Sequence, residues 1–415
     1  MKSACVLTAV LAFCLCTGFA ARGEAPVKPG IETLRKNGFD VLKGKRVGLI
    51  TNPTGVDNNL KSTIDILHEA EDVDLVALFA PEHGVRGDVA AGAKVASTVD
   101  KATGVKVYSL YGSTRRPTAE MLKDVDVLVY DIQDNGCRSY TFISTMGLAM
   151  EVCAKLGKEF VVLDRPNPLG GEKVEGPITE RDCVSFVSRF PIPYLYGLTP
   201  GELARMFAGE GMTEGGEKLK LTVVQMEGWR RDMLFGDTGM PWVLPSPHIP
   251  TAESAIFYPA SGIAGELDYL QIGVGYTLPF RTFAAPWIDG KKLADSLNAL
   301  GIAGMAFRPI HYRPYYGFSK GVDVSGVEVF VTDFDKADIT LTQFYVMQEI
   351  ARLWPGHKAS AGANPKRFDM FDKVTGSTKV RSAFFKNHKV ADMLPVWNRD
   401  AEGFKARKAR YHLYD

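Results

Sequence analysis

The first half of the chain repeats one hydrophobic pattern, in which a short apolar run is followed by a polar turn and then by helix-like spacing. Nearly continuous apolar runs are typical of strands buried on both faces, as in a parallel sheet with helices on each side. The predicted strands are 47–51, 75–80, 105–110, 127–132 and 160–164, and the predicted helices are 60–70, 118–123 and 143–156. This alternation predicts an α/β fold with a Rossmann-like parallel sheet.

Polar side chains follow the predicted strands at the points where they end. Ligands of such sheets bind outside the carboxyl ends of the strands, so we expect these side chains to converge on one rim. The candidate site residues on this rim are Asn52, Glu82, His83, Arg86, Asp131, Gln133, Arg138, Tyr140, Asp164, Arg165 and Asn167.

The pattern changes beyond residue 171, where Pro-rich connections surround one predicted helix, 200–207, and one predicted strand, 219–226. A composition break near Pro250 divides the chain into a Rossmann-like domain, residues 26–250, and a C-terminal α+β ancillary domain, residues 251–415. In the second domain, Gly turns lie beside aromatic residues that include Tyr276. Such aromatic faces suit stacking against a sugar ring, and they equally suit a hydrophobic plug between domains.

Length and charge narrow the classes of function. A chain of 415 residues exceeds the size at which one hydrophobic core keeps growing, which favours two packed units. The 49 Lys and Arg residues balance 48 Asp and Glu residues, for a net charge of +1. This balance removes the main electrostatic argument for nucleic acid or an anionic membrane surface as a partner.

The first residues have the three parts of a secretory signal. Lys2 is followed by an apolar run over 4–19 and by small residues at Ala20, Ala21 and Ala25. We therefore predict a signal peptide over residues 1–25 and an exported protein, periplasmic or extracellular. A lipoprotein signal is second in rank because bulky residues precede the cysteines of this stretch. The run is shorter than the ~20 residues of a spanning helix, and no later segment qualifies, so no membrane span is predicted.

Glu82 and His83 are the strongest candidates for chemistry, because they directly follow a buried strand. A carboxyl or imidazole beside an apolar wall can have its pKa moved toward the working pH, as general acid or base catalysis requires. Arg86 could hold a substrate carboxylate through two parallel hydrogen bonds. The alternative is a strand-end loop in which Glu82 pairs with Arg86 and His83 caps a helix.

No cofactor or metal is predicted. Asp131, Asp134 and Asp164 could join His83 around a divalent cation, but no spaced metal motif supports this, and ion pairs with Arg138 and Arg165 explain the same residues. The turn after the first strand lacks the glycine pattern that cradles phosphates. No G-x-S-x-G follows any predicted strand, so a serine nucleophile is unsupported.

Four strings together resemble the DUF1343 family, whose characterised members are exo-β-N-acetylmuramidases. They are GLITNPTG from residue 48, FAPEHGVRG from residue 79, DIQ from residue 131 with RSYT from residue 138, and VLDRPNPLGG from residue 162. The resemblance runs from about residue 38 to the C-terminus and is most specific in the first half. It implies a Rossmann-like domain, an ancillary domain and a cleft between them.

The resemblance also implies residue roles. The family's Pro-Glu-His-Gly glutamate falls on Glu82, and a glutamate of its second domain falls on Glu266. The sequence departs from the family just beyond, where Ile272 and Val274 stand in place of a glutamate and an arginine. Function is therefore carried over more safely for the first domain than for the second.

The resemblance implies the hydrolytic release of terminal β-linked N-acetylmuramic acid from the non-reducing ends of peptidoglycan fragments. The candidate residues fit a mechanism for this reaction. Glu82, assisted by His83, acts as general acid or base, with Glu266 as the second carboxyl if the domains close. Arg86, Arg138 or Arg165 pairs the lactyl carboxylate of the muramic-acid saccharide, and Asp131 and Asp164 orient these groups. The rivals are a periplasmic binding protein for muramic-acid sugars and a metal-dependent amidase or esterase.

Overall fold

The chain builds a seven-stranded sheet and then a three-stranded one, in a computed structural model that describes residues 25–82, 84–87, 98–112 and 114–415. The predicted signal peptide falls almost wholly outside the described residues, and His83 also lies outside them. The strands of the first sheet are β1 Arg46–Thr51, β2 Asp74–Ala80, β3 Thr98–Val99, β4 Lys106–Ser109, β5 Val127–Asp131, β6 Glu159–Leu163 and β7 Leu221–Val224.

The order of the first sheet is β3-β4-β2-β1-β5-β6-β7, and every pair except β3 with β4 is parallel. Alternate residues of one strand enter different cores. Val127 and Val129 of β5 pack in one hydrophobic cluster, while Leu128 and Tyr130 pack in another. Both faces of β5 are therefore covered, which confirms the doubly buried parallel sheet and the α/β class.

The helices of the first half are α1 Gly30–Lys36, α2 Thr63–Glu69, α3 Phe142–Leu156 and α4 Pro200–Gly209. Helix α4 begins with a capping box and a proline. Thr199 accepts from the Glu202 amide at 3.2 Å, the Glu202 carboxylate accepts from the Thr199 amide at 3.0 Å, and Pro200 takes the first helical position. The predicted helix over 118–123 is wrong, because residues 119–124 form turns.

The second half contains β8 Thr282–Ala285, β9 Met305–Tyr312 and β10 Val324–Val331, an antiparallel sheet in the order β8-β10-β9. Its helices are α5 Ala252–Gly265, α6 Gly290–Ala299, α7 Thr342–Leu353, α8 Ala359–Gly362, α9 Phe368–Thr375, α10 Thr378–Asn387, α11 Val390–Trp397 and α12 Ala401–Lys408. A small antiparallel sheet with helices confirms the predicted α+β character of this half. No helix of the described residues is long and apolar enough to cross a membrane.

The two halves are bound together by buried polar contacts. The Glu175 carboxylate accepts from the Thr340 amide at 2.8 Å and from the Thr340 hydroxyl at 2.6 Å. The end of the chain also returns to the first sheet, where the Tyr414 hydroxyl donates to Asp164 at 2.6 Å and the Leu413 amide donates to Glu202 at 2.9 Å. Residues 413 and 414 thus supply donors to the loop after β6 and to α4.

Candidate active site

A cavity of about 260 Å³ contains both glutamates that the sequence selected. Glu82 comes from the loop after β2, and Glu266 comes from the end of α5. The other polar and aromatic residues that line it include Ser139, Tyr140, Ser246, His248, Tyr258 and Phe280. Glu266 therefore reaches the same cavity as Glu82, as the cleft between the two halves requires.

Glu82 is held at the sheet rim by a tight turn. The Gly84 amide donates to the Pro81 carbonyl at 3.2 Å, and Gly84 has a φ of +80°. Only glycine adopts that left-handed conformation freely, which accounts for its place in this segment. Glu82 lies beside Tyr111, and burial followed by the charge of Glu82 raises the pKa of the Tyr111 phenol to about 12. The carboxylate thus has a neutral phenol as its neighbour.

Glu266 is held by one arginine at two points. Arg367 donates from Nε to the Glu266 backbone carbonyl at 3.0 Å and from its second nitrogen to the carboxylate. Burial raises the pKa of Glu266, an effect that Arg367 opposes and Asp268 reinforces. A partly buried carboxyl with a raised pKa suits an acid or a base near neutral pH.

Aromatic rings form one wall of the cavity. Tyr140 and Tyr258 meet edge to face at 5.5 Å, and Tyr258 meets Phe280 in the same way at 5.0 Å. The Ser139 and Tyr258 hydroxyls are 3.1 Å apart and hydrogen bonded. Rings with nearby hydroxyls provide the apolar and polar surface that a sugar presents to a protein.

Asp131 and Arg165 form a buried ion pair beneath the rim. Arg165 donates to both Asp131 oxygens and to the Val56 carbonyl at 2.8 Å, and the Thr63 hydroxyl also donates to Asp131. With both side chains at most 3% exposed, this pair ties β5 to the loop after β1. Their predicted contact with substrate stays a prediction, and it would require this pair to open or to share its donors.

Asp164 and Asn167 are also occupied within the fold. Asp164 accepts from the Thr199 hydroxyl and the Gly201 amide at the start of α4, both at 2.7 Å. Asn167 donates to the Leu198 carbonyl at 3.0 Å and accepts from the Leu169 amide at 2.9 Å. Both residues fix the loop that leads into α4, and their predicted substrate contacts stay a prediction.

Arg138 lies in the interior, 1% exposed. It donates to the carbonyls of Ile192 at 2.6 Å, Pro177 at 2.7 Å and Val374 at 2.9 Å, and to the Ser188 hydroxyl at 3.1 Å. These bonds join the first half to the end of α9, and the predicted pairing of Arg138 with a substrate carboxylate stays a prediction that would cost some of them.

Arg86 forms ion pairs with two aspartates. It donates to Asp100 at 2.7 and 3.0 Å and to Asp65 at 2.9 Å. This fork lowers the pKa of Asp100 to about 2. Arg86 is thus ion-paired, with Asp100 and Asp65 and not with Glu82 as the alternative had it, and its predicted substrate contact stays a prediction.

Asn52 and Gln133 keep buried polar atoms free at the rim. The side-chain oxygen of Asn52 accepts from the Thr54 amide at 3.0 Å, and the side-chain nitrogen of Gln133 donates to the Pro166 carbonyl at 2.7 Å. The Asn52 nitrogen and the Gln133 oxygen have no partner among the residues that the structure describes. Their predicted role as substrate ligands stays a prediction, and buried unpaired atoms support it.

Asn135 is a rim residue that the sequence analysis missed. It is fully buried, and neither atom of its amide has a partner in the described part of the chain. Its neighbour Asp134 accepts from the Tyr196 hydroxyl and from the Gly136 amide at 3.0 Å, both through Oδ2, and burial raises the pKa of Asp134 to about 6. The Asp-Asn-Gly string directly after β5 is the sequence feature that marks this position.

Tyr276 stacks on Tyr312 at 4.3 Å and packs at the edge of the small cluster that contains Ile310 and Val324. It is not among the residues that line the cavity around Glu82. Tyr276 therefore packs within the second half and not between the two halves, and its predicted sugar contact stays a prediction. Ile272 is 8% exposed and packs in the core beside α5, so the departure from the family pattern replaces a polar residue by a core residue.

The described residues contain no group of three or more His, Cys, Asp or Glu side chains that could hold a metal ion.

Comparisons with known proteins agree on one family. The model of the N-terminal part of the exo-β-N-acetylmuramidase NamZ matches residues 47–253, and that of the C-terminal part matches residues 256–414. The chain is 44% identical over 390 residues to the peptidoglycan β-N-acetylmuramidase NamZ of Bacillus subtilis strain 168, covering 94% of this chain and 91% of that relative.

Two crystal structures of DUF1343 family proteins from Bacteroides fragilis NCTC 9343 share the fold. The first has a TM-score of 0.91 and 54% identity, over 95% of this chain and all of the other. The second has a TM-score of 0.76 and 27% identity, over 94% of this chain and 99% of the other. The chain belongs to the NamZ family of exo-β-N-acetylmuramidases, which is the DUF1343 family that its sequence resembles.

Proposed function

We propose that this protein is an exo-acting glycoside hydrolase that releases terminal β-linked N-acetylmuramic acid from the non-reducing ends of peptidoglycan fragments. The observation that carries the proposal is the meeting of Glu82 and Glu266 in one cavity, in a chain of the NamZ family. Two carboxyls that flank a glycosidic bond are the usual apparatus of glycoside hydrolysis.

Glu82 acts as general acid or base at the glycosidic oxygen, through an oxocarbenium-like transition state, and His83 assists it. Glu266 supplies the second carboxyl, as a nucleophile or as the base that activates water. Arg367 holds that carboxyl in place from behind. Proton NMR of the first-formed sugar anomer distinguishes the two roles of Glu266, because a nucleophile gives retention and a base gives inversion.

The neutral parts of the sugar are matched by the aromatic wall and by the unpaired amides. Tyr258 and Phe280 line the cavity and offer ring faces and edges to the pyranose. Asn52 and Gln133 lie at the sheet rim outside the described lining, where their unpaired nitrogen and oxygen offer a donor and an acceptor. A bound hydroxyl or acetamido group would satisfy these buried atoms, whose burial without partners is otherwise costly.

The division of labour between the two halves belongs to this proposal. We assign catalysis to residues 26–250 and an ancillary role to residues 251–415, which contribute Glu266. Two separate family models, one ending at residue 253 and the next beginning at residue 256, support the division.

Export also belongs to the proposal. The basic, apolar and small-residue parts of segment 1–25 support cleavage and transfer to the periplasm or the exterior, where peptidoglycan lies. Cell fractionation with N-terminal sequencing of the processed protein tests it. A protein that stays in the cytosolic fraction with its first residues intact would contradict it.

The function is tested with para-nitrophenyl β-N-acetylmuraminide and with the disaccharide in which N-acetylmuramic acid is β-linked to N-acetylglucosamine. We expect turnover of both, with free N-acetylmuramic acid as a product. Tight binding without product would favour the periplasmic binding protein instead. Loss of activity in EDTA would favour the metal-dependent amidase or esterase.

A further inference from the structure

The proposed substrate brings a negative charge into an acidic cavity. N-acetylmuramic acid differs from N-acetylglucosamine by a lactyl ether that ends in a carboxylate. Glu82 and Glu266 already line the cavity, and its described lining contains neither lysine nor arginine. A third carboxylate needs a cation beside it, because an uncompensated charge in a partly desolvated site is strongly unfavourable. This inference rests on the proposed function.

The arginines that the sequence suggested for this task are occupied. Arg86 pairs with Asp100 and Asp65, Arg138 donates to backbone carbonyls in the interior, and Arg165 pairs with Asp131. To bind a substrate carboxylate, each of them would have to give up hydrogen bonds that hold the fold.

Arg115 lies beyond the residues that line the cavity, and among the described residues no hydrogen bond of the kind that holds Arg86, Arg138 and Arg165 occupies it. It lies in the loop after β4, its side chain is exposed, and no carboxylate pairs with it among the residues that the structure describes. Its guanidinium lies over the ring of Phe186, 4.5 Å from the centroid. Phe186 directly precedes Val187, which lines the cavity.

The charge of Glu82 raises the pKa of the Tyr111 phenol and the charge of Arg115 lowers it, so both charges act on the same phenol. Arg115 also packs on Phe186, which directly precedes the cavity-lining Val187. The guanidinium packs on the face of the ring in a cation–π interaction. Its N–H groups, which lie in the guanidinium plane, can still donate to a carboxylate.

We propose that Arg115 binds the lactyl carboxylate of the terminal muramic acid and so makes the site specific for N-acetylmuramic acid over N-acetylglucosamine. Its fork of donors matches the two carboxylate oxygens. Arg115 is a substrate-binding residue and takes no part in bond cleavage.

The test compares Arg115→Gln and Arg115→Lys with a matched control, Arg116→Gln, in the full-length chain. Arg116 is the exposed neighbour in the same loop. Calorimetry gives the dissociation constants of free N-acetylmuramic acid and free N-acetylglucosamine, and kinetics give KM and kcat on para-nitrophenyl β-N-acetylmuraminide.

We expect Arg115→Gln to weaken binding of N-acetylmuramic acid by about 10- to 100-fold and to raise KM comparably, as expected for loss of a charged hydrogen-bonded pair. Affinity for N-acetylglucosamine and the level of kcat should change little. The affinity of Arg115→Lys for N-acetylmuramic acid should fall between those of the wild type and Arg115→Gln, because lysine keeps the charge but lacks the two parallel N–H donors. Arg116→Gln should behave as the wild type.

The inference would be overturned if Arg115→Gln weakened binding of both sugars equally or left the ratio of the two affinities unchanged. It would also be overturned if Arg116→Gln weakened binding of N-acetylmuramic acid to the same extent. Wild-type turnover with an unchanged ratio would reject Arg115 and leave the proposed function standing. A wild type that binds N-acetylmuramic acid without turnover, and loses that binding in Arg115→Gln, would reject the hydrolase and keep the Arg115 site. A wild type without affinity for N-acetylmuramic acid or turnover would reject both.

Discussion

Glu82 and Glu266 face one cavity, although Glu82 lies in the loop after β2 of the parallel sheet and Glu266 directly follows helix α5 of the second half. The first is set by the Pro81 turn beside Tyr111, and the second by the fork of Arg367. Because their supports belong to different halves, the pair exists only when the two halves are docked. Substitution at each carboxyl and at its support therefore separates their roles.

Replacing Glu82 by glutamine should lower kcat on the muramic acid disaccharide by about 10² to 10⁴, the usual contribution of a positioned acid or base. If Glu82 is the acid, the loss should be smaller on the para-nitrophenyl glycoside, because that leaving group departs without a proton. Initial rates on the two substrates measure both effects. Glu71→Gln, at an exposed carboxyl, is the control and should keep full activity. Full turnover by Glu82→Gln would remove Glu82 from the mechanism.

Replacing Arg367 by glutamine should move one limb of the pH profile toward higher pH. Arg367 lowers the pKa of Glu266 against the effect of burial, so its removal lets that pKa rise further. If Glu266 works as a carboxylate the acidic limb moves, and if it works protonated the basic limb moves. The logarithm of kcat/KM against pH reports either shift. Lys366→Gln alters an exposed neighbouring charge and should leave the profile in place, and an unmoved profile in Arg367→Gln would argue against a titrating Glu266.

Stability should fall with rising pH through the titration of Asp134. Its pKa is raised from 3.8 to about 6 by burial, so the folded state holds the proton more tightly than the unfolded chain. The stabilisation is complete below about pH 4 and is lost as pH rises past about 6. It is worth on the order of 3 kcal/mol, from about two pKa units.

Asp134→Asn tests this relation with little change of shape. Both described donors to Asp134, the Tyr196 hydroxyl and the Gly136 amide, reach Oδ2, so an asparagine oxygen can keep them. Urea unfolding between pH 4 and 8 should show a smaller decline in the variant than in the wild type. Parallel declines in the two proteins would mean that Asp134 does not titrate in this window.

Replacing Arg138 by alanine should destabilise the fold by at least about 3 kcal/mol, because several buried carbonyls lose a charged donor and a cavity is left. Denaturant unfolding measures the loss, and KM of the remaining folded enzyme should stay near the wild-type value. Arg313→Ala removes an exposed ion pair with Asp323 and should hardly move the unfolding midpoint. A raised KM with unchanged stability would return Arg138 to the substrate site.

The alternation of apolar runs was enough to predict the parallel sheet, because each strand buried on both faces has to be apolar throughout, as β5 is. The same logic predicted that polar residues gather at the carboxyl edge. It could not tell which of them face the cavity. Asp131, Asp164 and Arg165 follow their strands as Glu82 does, yet they point into the fold and satisfy one another or nearby loops.

The second half was harder to predict because its contributions come from positions far apart in sequence. Glu266 was found through a family string, whereas its partner Arg367 follows about a hundred residues later, and no local pattern joins them. The sequence did not predict Arg115 as a site residue for a similar reason. It lies in a loop after β4, and its contact with Phe186 depends on a connection that only the folded chain brings near.

The return of the C-terminal residues to the first sheet bears on the stability of the Rossmann-like unit. Asp164 takes one of its donors from Tyr414, and Glu202 takes one from the Leu413 amide. During synthesis the N-terminal unit emerges first, and its acceptors precede these donors by 250 and 211 residues. A peptide that ends before residue 413 lacks both donors, so its Rossmann-like unit should be less stable than that of the longer chain.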